Sequence, residues 1–149
     1  MTKKYLFLAV GLIALLLVGC TDKNKPEDLH GNVARPAWTD PERYDFSSSM
    51  TALVKVDLAS QYPAAAKDFQ LHENDLMAAF IGDSCIGVAK KINSHFELFM
   101  TGTEGNVTLR FYSGFYSNLF VAQDAFTYHN DSNLGDWSKP FVPVFVLSK

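Results

Sequence analysis

The chain has 149 residues, of which 48% are hydrophobic, and its formal net charge at pH 7 is −3. This length suits one domain with a short flanking segment. Downstream of the N-terminus the only adjacent basic residues are Lys90 and Lys91. Because nucleic-acid binding needs a clustered positive surface to neutralise phosphates, the composition predicts no nucleic-acid partner.

The N-terminus carries a pattern typical of export. Lys3 and Lys4 precede an uncharged run over residues 5–18, which is shorter than the roughly 20 apolar residues of a membrane-spanning helix. The run ends in Leu-Val-Gly-Cys, which resembles a bacterial lipobox, and polar residues follow. We therefore predict a lipoprotein signal peptide over residues 1–19 and lipidation of Cys20, in preference to a spanning helix or an ordinary cleaved signal.

These assignments predict a protein that a lipid anchors to the bacterial outer membrane, so the membrane is a predicted partner. They do not predict which leaflet of that membrane carries the protein.

Removal of the two signal-peptide lysines leaves 11 basic and 16 acidic residues in the mature chain. Residues 20–37 are polar and have no apolar period, so we predict the lipidated cysteine and a flexible tether there. The folded domain is predicted to cover residues 38–149.

Period-two alternation from Met50 to Leu58 predicts the first strand, and a long connection follows over residues 59–75. The next two apolar runs flank Gly82-Asp83 and predict a β-hairpin. Pro143 predicts an edge or a bulge in the last strand. The predicted strands after the first cover residues 76–81, 84–89, 96–101, 107–112, 118–122, 126–128 and 141–147, and residues 129–136 form a polar loop.

Strand signals that recur every 8–12 residues predict an all-β fold, an antiparallel β-sandwich of Ig-like or Greek-key type with about seven strands and little helix. Leu76–Ala89, followed by Phe96–Phe99 and Val107–Tyr112, resembles a small β-sandwich module of secreted and lipid-anchored proteins from Bacteroidetes-type bacteria. This resemblance covers about half of the mature chain. It implies the fold and a surface location, and it implies no catalytic or binding position.

Few residue patterns point to reaction chemistry. No histidine has a second histidine or a cysteine at metal-ligand spacing. Cys85 lies among apolar residues, so we predict a small buried side chain rather than a reactive thiol. The loop over residues 129–136 matches a calcium loop only in part, because its glycine stands at position five, and calcium binding there stays open. We predict a binding protein rather than an enzyme, with no metal and no cofactor.

The aromatic residues give the candidate ligand-binding side chains, since glycan-binding modules stack sugars on exposed Tyr and Trp. Tyr112 alternates out of phase with the apolar positions of its strand, Tyr116 follows a glycine in a turn, and Trp137 borders the polar loop. Packing in the core or in turns is the alternative for all three.

The predicted function is therefore capture of a glycan or another ligand at the outer membrane. The alternative is a structural or adhesive component of a cell-surface assembly, with a surface protein as the partner. A long unpaired apolar edge strand would favour that alternative, because it can accept a strand from another protein.

Overall fold

The structure is a computed structural model that describes residues 27–42 and 48–149. The signal peptide and Cys20 lie outside the described residues. The described residues form ten strands and one short helix: β1 Met50–Lys55, α1 Leu58–Gln61, β2 Leu76–Ile81, β3 Ser84–Val88, β4 Lys90–Ile92, β5 His95–Met100, β6 Asn106–Ser113, β7 Asn118–Ala122, β8 Phe126–Thr127, β9 Ser132–Leu134 and β10 Phe145–Leu147.

The strands form two sheets that pack face to face. The first sheet has the order β4-β5-β1-β9, and the second has the order β10-β7-β6-β2-β3, with β8 beside β6. The predicted all-β sandwich is confirmed. The strand number is ten rather than about seven, because β4 and β9 have three residues each and are too short to show alternation. β9 also pairs with β1 in parallel, whereas the other strand pairs are antiparallel.

The core lies between the two sheets and consists of the inward-pointing apolar residues that the period-two alternation predicts. In β1, Ala52 and Val54 point inward and are buried, whereas Lys55 is exposed. A fully buried Leu, Val or Phe side chain contributes about 1.5–3 kcal/mol relative to an exposed one. The inward set of the longest strand, β6, is likewise buried, as predicted: Val107, Leu109 and Phe111.

The local turn chemistry explains where two elements end. Gly82 adopts a φ of +59°, which favours glycine, and it begins the turn of the predicted β2–β3 hairpin. The first predicted strand ends at Lys55 instead of Leu58, because Asp57 caps α1. The Asp57 carboxylate accepts a hydrogen bond from the backbone N–H of Ser60 at 3.2 Å.

The segment over residues 27–42, which we call the N-terminal strap, packs against the second sheet. Leu29 is 1% exposed and belongs to the core. The backbone N–H of Gly31 donates to Tyr116 O, and that of Val33 donates to Ser117 O, both at 2.9 Å. The strap therefore begins at the β6–β7 turn, with an apolar anchor and two backbone hydrogen bonds.

The strap then crosses the outer face of the second sheet. The Trp38 ring packs edge-on against Phe80 with 5.4 Å between ring centroids, and the Asp40 carboxylate accepts a hydrogen bond from Val88 N at 2.7 Å. The burial of Leu29 and the backbone hydrogen bonds of Gly31 and Val33 correct the predicted flexible tether, residues 20–37, over its described part 27–37. The polar composition of the segment hid them, because one leucine and several backbone hydrogen bonds hold it.

The edges of the second sheet are capped by side chains. On β10, the Gln61 amide donates to Pro143 O and accepts from Phe145 N, both at 2.8 Å, and the Tyr62 hydroxyl donates to Phe145 O at 2.9 Å. Gln61 thus takes the place of a neighbouring strand. β10 is an edge strand, as Pro143 predicted. Within residues 27–42 and 48–149, no helix is long and apolar enough to cross a membrane.

Candidate ligand-binding site

The outer faces of the two sheets differ in their exposure. On the first sheet, the outward side chains of Lys55, Glu97 and Phe99 are exposed. On the second sheet, which the strap crosses, the outward side chains of Phe80 and Tyr112 are 3% and 6% exposed. The outward side chains around Phe80 are thus covered, although a hollow of about 380 Å³ beside Thr108, Arg110 and Val121 stays open on the same face. The first sheet presents the more exposed side chains to a ligand.

A loop from the edge of the first sheet projects over this face. The chain pairs with β1 through β9, leaves at Gly135 and returns at Phe141, whose N–H donates to Leu53 O at 2.9 Å. We call the residues between these points, 135–140, the Trp137 loop. Gly135 has a φ of +76°, and a Cβ atom there would lie 2.6 Å from Phe141 N and 2.8 Å from Leu53 O. Only glycine fits this exit from the sheet without strain.

The tip of the loop is held by Asp136. One oxygen of its carboxylate accepts hydrogen bonds from Ser138 N at 2.8 Å, Ser138 Oγ at 2.6 Å and Lys139 N at 2.8 Å. The hydrogen bond from the Ser138 side chain, together with the two backbone N–H groups, lowers the pKa of Asp136 below its ordinary value. Such a turn fixes the backbone on both sides of Trp137.

Trp137 presents its ring to solvent from this turn. The side chain is 59% exposed, and its ring meets His95 of β5 edge-on, with 5.1 Å between the ring centroids. Leaving so large an apolar surface in water forgoes the free energy that burial provides. Such an exposed ring on a fixed turn is a candidate surface for ligand contact.

A shallow groove of about 230 Å³ runs beside the Trp137 ring, and we call it the Trp137 groove. Leu53 contributes an apolar wall, and three neighbouring strands contribute Thr51, Glu97 and Asn133. The Thr51 hydroxyl donates to the Asn133 side-chain oxygen. In the described part of the chain, the Glu97 carboxylate takes part in no hydrogen bond or ion pair. The groove thus combines an aromatic face with polar groups, as sugar-sized ligands require.

A larger hollow of about 620 Å³ lies on the other side of the Trp137 loop and shares Asn133 and Asp136 with the groove. Its aromatic residue, Phe141, is half-buried and packs edge-on against Phe126 at 5.8 Å between ring centroids. Because this hollow presents no comparably exposed ring, the smaller groove is the better candidate site.

The three aromatic residues selected from the sequence are not brought together. Trp137 is exposed, as predicted, on the first sheet. Tyr112 faces away from the core, as predicted, but it is only 6% exposed. Tyr116 is 2% exposed, and its ring stacks on Phe69 with 5.8 Å between centroids, while its hydroxyl donates to Ala65 O at 3.3 Å. The expected exposure of both tyrosines is therefore wrong, and for Tyr116 the alternative of core packing applies, because its ring belongs to the hydrophobic core.

Three groove residues were missed by the sequence reading. Thr51 and Glu97 lie at outward positions of strands with alternating apolar and polar residues. That alternation predicts that a side chain is exposed, and it does not predict that the side chain binds a ligand. Asn133 lies in a strand of three residues that pairs with a strand about 80 positions earlier. No local pattern predicts that pairing.

The polar loop over residues 129–136 uses its side chains in hydrogen bonds within the protein. Asn130 Oδ1 accepts from Ser49 N at 2.9 Å, and Ser132 Oγ donates to His129 O at 2.6 Å. Within the two described ranges, no group of three or more His, Cys, Asp or Glu residues is placed to hold a metal ion. The calcium hypothesis gains no ligand set from this geometry.

Cys85 lies on the β2–β3 hairpin and is half-buried rather than fully buried. Burial raises the pKa of its thiol, and the thiol donates a weak hydrogen bond to Gly87 O over 3.8 Å. A raised pKa disfavours the thiolate, which is the nucleophilic form. The side chain is therefore poorly suited to nucleophilic chemistry.

Comparisons with family models, with curated proteins and with solved structures find no significant match to this chain. The resemblance to the Bacteroidetes-type sandwich module therefore stays a prediction. The geometry of the Trp137 groove is therefore the observation that bears on function.

Proposed function

We propose that this chain is a lipid-anchored extracytoplasmic binding protein that captures a glycan in the Trp137 groove. The observation that carries the proposal is the display of Trp137. Its side chain is 59% exposed at the tip of a loop that Gly135 and Asp136 hold in place. Preorganised aromatic rings lose little conformational entropy when a ligand covers them.

The groove suits the two kinds of surface on a sugar ring. The apolar face of the ring stacks on Trp137 and meets the wall formed by Leu53, while the hydroxyl groups reach Thr51, Glu97 and Asn133. Stacking of a nucleic-acid base on an aromatic ring contributes about 1–3 kcal/mol, and we expect sugar stacking to be no stronger. The volume of the groove, about 230 Å³, suits one or two sugar units rather than a larger ligand.

Binding without catalysis fits the state of the groove carboxylates. Glycoside hydrolysis needs a carboxylic acid with a raised pKa to protonate the leaving group. Asp136 has a lowered pKa, because the Ser138 side chain and two backbone N–H groups donate to it. This carboxylate therefore serves the turn and favours the binding role over a hydrolytic one.

The alternative, a component of a surface assembly, is less well supported by the sheet edges. Gln61 and Tyr62 cap β10, and Asp40 caps β3 at Val88. The edge strands of the first sheet, β4 and β9, have three residues each. Short or capped edges are poor acceptors for a partner strand.

The membrane part of the proposal derives from the Leu-Val-Gly-Cys pattern at residues 17–20. Labelling cells with a fatty-acid probe tests it: the wild-type chain is expected to carry the label and Cys20→Ala to lose it. Retention of label and membrane fractionation by Cys20→Ala would contradict lipidation.

The glycan part is tested with the chain from Thr21 onward on a broad glycan panel. We expect Trp137→Ala to weaken binding about tenfold, since 1.4 kcal/mol corresponds to a factor of ten. Val142→Ala is the matched control, because Val142 is exposed and lines the larger hollow instead. A panel without any binder, or a binder indifferent to Trp137→Ala, would refute the proposal.

A further inference from the structure

The ionisable residues that line the Trp137 groove have one sign of charge. Glu97 and Asp136 are both carboxylates, and no basic residue lines the groove. The groove therefore combines an exposed aromatic face with two negative charges. Acidic ligands would meet like charges there, whereas an ammonium group would meet an aromatic face and two carboxylates.

Both carboxylates are exposed in the folded protein. The lowered pKa of Asp136 keeps it ionised, and Glu97 is exposed and takes part in no ion pair among the described residues. Three lysines lie near the groove without lining it. Lys90 is the cross-strand partner of Glu97 and shares its face of the sheet. Lys55 lies opposite His95 on that same face, and Lys139 lines the larger hollow beyond the loop.

The Trp137 ring supplies a second, independent attraction for a cation. An ammonium group over the face of a tryptophan is attracted by the ring quadrupole, most strongly among the aromatic residues. The His95 ring packs against the Trp137 ring in a T-shaped arrangement, with 5.1 Å between the ring centroids, and Trp137 stays 59% exposed.

We propose that the Trp137 groove binds glycans that carry amino groups more tightly than neutral glycans of the same backbone, and that it rejects acidic glycans. The ammonium group lies between the Trp137 ring and Glu97. This inference rests on the proposed glycan-binding function and adds the chemical class of the ligand. The selectivity is electrostatic, so it weakens as the salt concentration rises.

Three probes with one backbone test this selectivity: β-1,4-linked hexamers of glucosamine, glucose and glucuronate, measured by calorimetry at about pH 6, above the ordinary carboxyl pKa of about 4. The same pH is used for all three probes. We expect the glucosamine hexamer to bind about fivefold more tightly than the glucose hexamer, the size of a surface cation–π or ion-pair contribution. The glucuronate hexamer is expected to bind most weakly.

Variants separate this inference from the proposed function. Glu97→Gln is expected to remove the preference for glucosamine, whereas Trp137→Ala weakens both hexamers. Glu104→Gln is the matched control, since Glu104 is an exposed acid in the β5–β6 loop. Equal binding of the three probes, tighter binding of glucuronate, binding of none, or a preference that survives Glu97→Gln would overturn the inference. Binding of any panel glycan that depends on Trp137 would still uphold the proposed function.

Discussion

The two tryptophans of the chain lie on the outer faces of the two sheets and have opposite surroundings. Trp38 belongs to the N-terminal strap and packs half-buried against Phe80 of the second sheet. Trp137 projects over the first sheet and is 59% exposed. The strap covers part of the second sheet, whereas the outer face of the first sheet presents exposed side chains and carries the candidate site.

The surroundings of Tyr112 and Tyr116 explain why both tyrosine candidates failed, since Tyr116 belongs to the hydrophobic core. Tyr112 points outward from the second sheet, yet it is 6% exposed on the face that the strap crosses. Alternation along a strand tells which side of a sheet a residue occupies, and it does not tell whether another segment covers that side. Exposure is a property of the whole fold.

Removal of the strap should lower the free energy of unfolding more than any other change proposed here. A chain that starts at Trp38 loses Leu29 from the core and two backbone hydrogen bonds, and we expect its free energy of unfolding to fall by about 4–6 kcal/mol. Urea denaturation measures this, with a chain that starts at Glu27 as the control. Equal midpoints for the two chains would show that the strap does not belong to the folded unit.

The next largest effect concerns the loop that displays Trp137. Gly135→Ala places a Cβ atom against Phe141 N and Leu53 O at positive φ, and we expect it to cost about 2–4 kcal/mol. Gly82→Ala is the matched control, because Gly82 has a φ of +59° with nothing within 4 Å of the added atom. It should cost only about 1–2 kcal/mol. Equal losses in thermal or urea unfolding would show that the close approach to β1 is unimportant.

A smaller difference is expected between the tryptophans themselves. Trp38→Ala removes a half-buried ring and should lower the free energy of unfolding by about 1–3 kcal/mol. Trp137→Ala removes an exposed ring and should change it by no more than about 0.5 kcal/mol. Parallel urea titrations compare them. A larger loss for Trp137→Ala would assign that ring to stability rather than to binding.

The smallest effect concerns two aspartates whose pKa values shift in opposite directions. Asp75 is 6% exposed, and burial raises its pKa, although hydrogen bonds from His72 N and Gly114 N and the charge of Lys91 oppose this. Asp136, which lines the Trp137 groove, has a lowered pKa. The two carboxylates should therefore respond to acid with opposite signs.

Because its pKa is raised, Asp75 stabilises the fold increasingly as the pH falls from neutral towards the ordinary value of 3.8. The stability difference between wild type and Asp75→Asn should grow over that range. The contribution of Asp136 is present above pH 3.8 and is lost as the pH falls through its lowered pKa, so the difference from Asp136→Asn should shrink below 3.8. Changes of the same sign for both variants would contradict the assigned shifts.

Much of the fold followed from local patterns, and most of the site did not. The alternation of Val107, Leu109 and Phe111 and the Gly82 turn identified a core strand and a hairpin, because both signals are local. β4, β9 and the strap have too few residues or too little hydrophobicity to produce such a signal. They are held by pairing with distant segments.

The same distinction holds for the groove. Trp137 was found because a tryptophan beside a polar loop is conspicuous in a sequence. Glu97 and Asn133 join it only because β5 and β9 flank β1, and that arrangement depends on a parallel pairing between distant parts of the chain. The polar half of the site is therefore a tertiary feature.

The packed strap also limits how far the folded domain could stand from a membrane. With lipid on Cys20, the chain from Cys20 to Leu29, the first buried residue that the structure describes, could span at most about 30 Å. A tether that ran to Trp38 could span about 60 Å by the same measure. A lipidated domain would therefore stay within a layer about as deep as a hydrocarbon core is thick, and it would bind only ligands that come that close to the membrane.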